Sequence, residues 1–128
     1  MNKEVINTSS APAPIGPYNQ AVLAGNLLFI SGQICLDPAT GQLDNKDIQA
    51  ETHRCMKNIR AILAAAEMSF TNVVKTSIFI TDMNQFSEIN EVYGQYFTGD
   101  FPARETVQVS ALPKFVNVEI SMIAQKES

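Results

Sequence analysis

The chain has 128 residues, of which 45% are apolar and 17% charged, with a net charge of −4. These values read as one soluble domain over residues 1–128, large enough for a core. They argue against a non-specific binder of a phosphate backbone, which needs a basic face. No apolar run approaches the roughly 18 residues of a membrane span, and the Met1-Asn2-Lys3-Glu4 start lacks a secretory pattern. The expected location is therefore cytoplasmic. Cys35 and Cys55 have no metal-ligand spacing and no companion cluster, and they read as free thiols filling space.

Residues 3–6 form a candidate first strand. Residues 7–18 follow as a long loop carrying Pro12, Pro14 and Pro17, half the prolines of the chain. Loops of this length in compact domains are functional or disordered, and this one ends in a phenol, Tyr18. Residues 20–24 and 27–34 read as strands joined by Gly25-Asn26, a hairpin signal. Gly32 inside the second of them suggests a bulge or a close approach to the backbone. Asp37-Pro38-Ala39-Thr40-Gly41 has turn chemistry.

The first helix is expected over residues 47–67, with Ile48, Thr52, Cys55, Ile59, Ile62 and Ala66 on its apolar stripe. Asp47 and Glu51 suit its early turns. His53, the only histidine, falls on the polar side with Gln49, Lys57 and Arg60 and is expected to be solvated, which removes His-based triads and most zinc sites.

A strand over residues 73–81 places Val74, Thr76, Ile78 and Ile80 on one face. Asp82 and Gln85 then read as the N-cap and third position of a capping box. The second helix carries the stripe Phe86, Ile89, Tyr93, Tyr96 and Phe97, with Asn90 inside it. A buried amide needs partners, so Asn90 either ties down backbone or faces a polar cavity.

Residues 104–111 and 116–124 are expected to pair as a last hairpin around Leu112-Pro113-Lys114-Phe115. Arg104, Thr106, Gln108 and Ser110 share one face, with Val107, Val109 and Ala111 on the other. One register sets Gln108 across from Glu119 and Thr106 across from Ser121. Arg104 then lies four residues from Gln108, roughly 13 Å along the strand. On this reading Arg104 and Glu119 share a polar face without meeting inside one chain. A site using both needs a second chain or a strong bend. An arginine at a strand mouth presents a donor fork suited to a carboxylate or phosphate. The sum is an α+β layer fold with helices on one face of a mixed sheet, the other face meeting water or other subunits.

Several ordered segments resemble the Rid family of reactive intermediate deaminases, also called YjgF-type. They are Ala13-Pro14-Ile15-Gly16-Pro17-Tyr18, Phe29-Ile30-Ser31-Gly32-Gln33-Ile34, Val74-Lys75-Thr76, Asn90-Glu91-Val92-Tyr93, Phe101-Pro102-Ala103-Arg104, Leu112-Pro113-Lys114 and Val118-Glu119-Ile120. The resemblance covers nearly the whole chain. It implies a chorismate-mutase-like fold, with two helices on one face of a six-stranded mixed sheet, and a homotrimer with ligand clefts between subunits. It implies hydrolysis of 2-imino acids to 2-oxo acids and ammonia, without metal or organic cofactor.

By position, the resemblance makes Arg104 the carboxylate grip, Glu119 the group that positions or activates water, and Tyr18 the loop tyrosine. Ser31 and Gly32 match the strand lining the cleft, and Asn90 a polar helix residue at its edge. Thr106 stands where active deaminases typically carry Cys, where a backbone group is expected to serve, and Ser121 where many relatives have a second acid. Two other readings follow from the family. A non-catalytic carboxylate sensor would bind without turnover, and Thr106 favours it. An RNA-cleaving or translation-inhibiting role is opposed by the acidic balance.

Overall fold

The alternating stretches become strands and the helical stripes become helices in the computed structural model, which describes residues 3–127. In chain order these are β1 (Lys3–Ile6), β2 (Ala21–Ala24), β3 (Leu27–Gln33), α1 (Ile48–Ala65), β4 (Val73–Ile80), α2 (Phe86–Gly94), β5 (Ala103–Gln108) and β6 (Val118–Gln125). One sheet runs in the order β1-β2-β3-β6-β4-β5. All neighbours are antiparallel except β4 and β5, which are parallel. With both helices on one face, this is the α+β, chorismate-mutase-like architecture expected. No helix among the described residues is long and apolar enough to cross a membrane.

The core lies between the sheet and the helices. Leu28, Ile78, Val118, Ile120 and Met122 from the sheet meet Cys55, Ile59 and Ile62 from α1, none more than 2% exposed. Each large side chain buried this way contributes about 1.5–3 kcal/mol. Cys35 and Cys55 are free and buried, and burial pushes the Cys35 thiol up to about 11. The hairpin at Gly25-Asn26 forms as expected, with Gly25 at φ +63°. So does the turn at Asp37, whose carbonyl accepts from the Gly41 N–H at 2.8 Å.

The expected last hairpin does not form. β6 lies between β3 and β4, and β5 pairs with β4 in parallel, with α2 as the crossover. The physical reason is the burial that each strand supports. In β6, Val118, Ile120, Met122 and Ala124 are all fully buried, so β6 belongs in the middle of the sheet. β5 has no fully buried residue and suits an edge. The link between them is a 3-10 turn, Pro113–Phe115, with Lys114 and Phe115 both at positive φ, which carries the chain across β4.

The register changes with the topology. Thr106 lies beside Ile78 and Gln108 beside Ile80, while Glu119 and Val107 both flank Phe79. Arg104 aligns with Thr76, which faces the helices, so Arg104 and Glu119 lie on opposite faces of the sheet and do not share one. Val107 points to the open face and is 42% exposed.

Three local expectations also change. A register shift between Val73 and Lys75 turns Val74 outward, so it does not share the buried face of Thr76, Ile78 and Ile80. Asp82 caps a 3-10 turn, Met83–Gln85, by accepting from the Asn84 N–H at 3.0 Å, and α2 begins only at Phe86. The Met83 N–H is satisfied by Gln108 Oε1 at 2.8 Å, with no reciprocal bond from the Gln85 side chain. His53 is half-buried and partnered: its Nδ1 sits 2.8 Å from the Tyr96 hydroxyl.

Glu51 does more than complement the dipole of α1. It is fully buried and accepts from the N–H groups of Asn117 (2.6 Å) and Val118 (2.9 Å) and from Asn117 Nδ2 (2.9 Å). These three donors stand in for water around a charge that would otherwise be costly to bury. Glu51→Ala leaves both N–H groups of the β6 start unpaired and should destabilise the protein by about 3 kcal/mol in urea unfolding, with Glu51→Gln losing less. A loss below about 0.5 kcal/mol would show that the clamp is not structural.

Candidate functional site

The loop over residues 7–18 is held by one amide. Gln20, 2% exposed, donates from Nε2 to the carbonyls of Thr8, Ala11 and Pro12 and accepts from the Thr8 N–H at 2.7 Å. Ser31 Oγ donates to the Asn19 carbonyl at 2.7 Å, which fixes the loop end beside Tyr18. The bulge signalled by Gly32 is present, as a register shift between Ile30 and Gln33. Asn58 of α1, fully buried, donates to the carbonyls of Ile34 and Leu36 and holds the segment after β3.

These elements enclose a cleft of about 170 Å³ lined by Tyr18, Gly32, Ile34, Leu36, Pro113 and Glu119. The Glu119 carboxyl lies directly over Gly32. A Cβ at residue 32 would sit 2.7 Å from Glu119 Cδ and 3.0 Å from Oε2, so only glycine leaves the carboxyl where it is. Glu119 is half-buried, and among the described residues it has no ion-pair or hydrogen-bond partner. Burial raises its pKa from the ordinary glutamate value. Such a group is suited to hold water and exchange a proton with it. The Tyr18 hydroxyl stands in the same cleft, 3.4 Å from the Ile15 N–H.

A second hollow, of about 290 Å³, lies at the β5 edge on the helix side. Asn90, Tyr93, Gly94, Phe101, Pro102 and Arg104 line it. The Arg104 guanidinium rests 5.1 Å from the Tyr93 ring centre and 5.6 Å from that of Phe86. Tyr93 is fixed in turn by donating to Thr76 Oγ1 at 2.9 Å, and burial raises its pKa, keeping the phenol neutral. Arg104 is thus oriented by two aromatic faces. Among the described residues it has no acidic partner, which leaves its fork for an external anion. Asn90 faces this hollow. Thr106, two residues along the same face, keeps its Oγ1 buried without a partner.

The structure therefore brings Tyr18, Gly32 and Glu119 together in one place and Arg104 and Asn90 in another. Ser31, bonded to the Asn19 carbonyl, and Thr106 stand next to these places in the chain without lining either hollow. Three residues that hold these places escaped the sequence reading: Gln20, Glu51 and Asn58. For the two helical ones the signal was present. Glu51 and Asn58 fall within the α1 stripe formed by Ile48, Cys55, Ile59 and Ile62, where a polar residue must be clamping something.

The raised pKa of Glu119 has a stability consequence. At acid pH the carboxyl is neutral in the folded and unfolded states alike. As pH rises through its raised value, the folded protein must hold a charge that burial disfavours, and stability falls. Glu119→Gln should raise Tm near neutral pH and leave it unchanged at acid pH. A variant less stable than wild type at neutral pH would show that the carboxylate is compensated after all.

Comparison with known proteins places this geometry in a family. The family description "Endoribonuclease L-PSP" matches residues 8–126. A RutC family protein of Pyrococcus horikoshii is 53% identical over 125 residues, covering 98% of this chain and 99% of that one. The 2-iminobutanoate/2-iminopropanoate deaminase of Homo sapiens is 48% identical over 122 residues, covering 95% of this chain and 89% of the relative. The crystal structure of E. coli TdcF with bound serine superposes with a TM-score of 0.93 at 42% identity, covering 97% of this chain and 99% of that one. With a match over nearly its whole length and this level of identity, the chain belongs to the Endoribonuclease L-PSP family, the YjgF or Rid family of its sequence motifs.

Proposed function

We propose that the protein hydrolyses 2-imino acids, the tautomers of enamines released by dehydratases, to 2-oxo acids and ammonia. The observation that carries this reading is the Glu119 carboxyl, unpaired and half-buried over Gly32, with the Tyr18 phenol in the same cleft. The deaminase name of the human relative supports the reaction class. The serine in E. coli TdcF supports a carboxylate ligand of amino-acid size.

The two half-sites lie on opposite faces of one sheet, so a catalytic cleft using both takes Arg104 from one chain and Glu119 from another. The open sheet face favours such an assembly: Val5, Phe29 and Val107 are each more than 40% exposed there. A cytoplasmic homotrimer with clefts between subunits satisfies both conditions. In it Arg104 grips the substrate carboxylate bidentately, with Asn90 and the backbone at Thr106 at the rim, and presents the C=N carbon to the partner cleft.

Glu119 takes a proton from water as the oxygen adds to the imine carbon. Glu119 passes that proton to the nitrogen while Tyr18 donates a hydrogen bond to the tetrahedral adduct. The carboxylate then takes the adduct's hydroxyl proton as the carbonyl forms and delivers it to the nitrogen as the C–N bond breaks, releasing ammonia and the 2-oxo acid. Gly32 supplies part of the wall of that cleft, and Ser31 holds the loop end beside it. The carbon is already electrophilic, so the step needs no cofactor.

A coupled assay tests the reaction. A pyridoxal-phosphate threonine dehydratase generates the imine, semicarbazide traps it, and 2-oxo acid release is followed. Wild type should suppress trapping, and Arg104→Ala should lose the effect while keeping its Tm. Wild type that binds a small carboxylate but never alters trapping would sink the enzyme reading in favour of a sensor.

Gly32→Ala gives a finer test. The Glu119 carboxyl is the far end of a flexible side chain, so its displacement should change stability by less than about 1 kcal/mol. Misplacing it should lower kcat/KM by about 100-fold. An active Gly32→Ala protein would remove Glu119 from the mechanism.

A further inference from the structure

A further hollow, on the helix side, plays no part in the site above. It holds about 620 Å³ and runs along the outer side of α1 toward the end of α2. Lys46, His53, Lys57, Arg60 and Tyr96 line it, with Asp44 at one end. The chain carries nine Lys and Arg against thirteen Asp and Glu, yet three of the nine cations and the only histidine converge here. The one carboxylate of the lining, Asp44, is turned to Arg54, 3.5 Å from its Nε. Lys46, Lys57 and Arg60 make no ion pair among the described residues, so the groove is locally positive on an acidic molecule.

Its cationic side is also built. His53, Lys57 and Arg60 follow at spacings of four and three residues on α1, which stacks them on one helix face. Tyr96 fixes two of them from the other wall. Its ring holds the Arg60 guanidinium 5.6 Å from its centre, and its hydroxyl meets His53 Nδ1 at 2.8 Å. That bond occupies Nδ1 in either tautomer and leaves Nε2 without a protein partner. A planar fork, two ammonium groups and an imidazole nitrogen around one concavity match a tetrahedral dianion with several acceptor oxygens.

We propose that this groove is a binding site for a phosphate group, separate from the imine-hydrolysing cleft. The volume accommodates a phosphate together with the organic part of a small phosphorylated metabolite. Because the groove lies on the helix side, it stays open when the other face of the sheet is covered.

The test titrates inorganic phosphate and glycerol phosphate into the full-length protein, read by phosphorus NMR line width and by calorimetry. Wild type should bind at least one of the two saturably, and the Lys57→Ala/Arg60→Ala protein should bind about tenfold more weakly at unchanged Tm. Arg104→Ala should bind as wild type does. Tighter binding of the ester assigns the site to a metabolite, and equal binding assigns it to the free ion. No saturation at millimolar ligand, or loss in Arg104→Ala with retention in the double variant, would overturn the proposal. So would a short RNA binding far more tightly than either probe, with steep salt dependence. These outcomes are independent of the semicarbazide assay.

Discussion

The three hydrogen bonds from Asn117 and Val118 to Glu51 set the terms for the rest of the molecule. They fix where β6 begins, and β6 is the strand on which both sheet halves depend, since β3 flanks it on one side and β4 on the other. A one-residue slip would turn Val118, Ile120, Met122 and Ala124 out of the core and bring Glu119 and Ser121 into it. The buried carboxylate therefore acts as a register pin. The alternation of β6 favours two registers two residues apart, but only one brings the Asn117 and Val118 N–H groups onto Glu51. The same choice hangs Glu119 over Gly32, so a structural carboxylate on α1 positions the unpaired one on β6.

The sheet then acts as a partition. Odd-numbered positions of β6 meet the open face and even-numbered ones the helices. β5 follows β4 in register, so Arg104 is committed to the helix side as firmly as Glu119 is to the other. The proposed carboxylate grip and water-activating group, kept on opposite faces, do not neutralise each other within the chain. An Arg–Glu pair on one face would close into an ion pair, which holds no substrate. Separation leaves the fork of Arg104 and the carboxyl of Glu119 each without an internal partner, and a second chain can then bring both to one ligand.

Much of this was legible in the residues. The hairpin at Gly25-Asn26, the bulge at Gly32 and the stripe of α1 follow from local chemistry, and each appears where the pattern puts it. Arg104, Asn90 and Gly32 also stood out from spacing alone. The order of the last strands was not legible. Two alternating segments joined by a short proline-containing link look like a hairpin, and nothing local says that another strand lies between them. The distinction lies in a global quantity, the burial each strand can support. The eight-residue alternation of β6 is apolar enough for a central place, while β5 carries Arg104, Glu105 and Gln108 and is not. The capping box at Asp82 failed because the chain there winds as a 3-10 turn, in which the Gln85 N–H goes to the Asp82 carbonyl and the Asp82 carboxylate accepts from Asn84 instead.

The unsatisfied groups show what this arrangement costs. The buried Oγ1 of Thr106 lacks a partner, and a buried hydroxyl left so costs about 1–3 kcal/mol. Glu119 bears a desolvation penalty of its own. Glu119 lines one hollow and Thr106 lies two residues along β5 from Arg104 of the other, while the clamping residues have hydrogen bonds of their own. Gln20 and Glu51 have theirs filled by loop carbonyls and strand N–H groups. The rigid clamps explain why the strained groups do not relax. Tyr93 cannot turn away from Arg104 without breaking its bond to Thr76, and the Gly32 strand cannot slide without pulling Ser31 from the loop. Polar groups with partners inside the fold thus keep Arg104 and Glu119 in place without one, beside hollows that a ligand can enter.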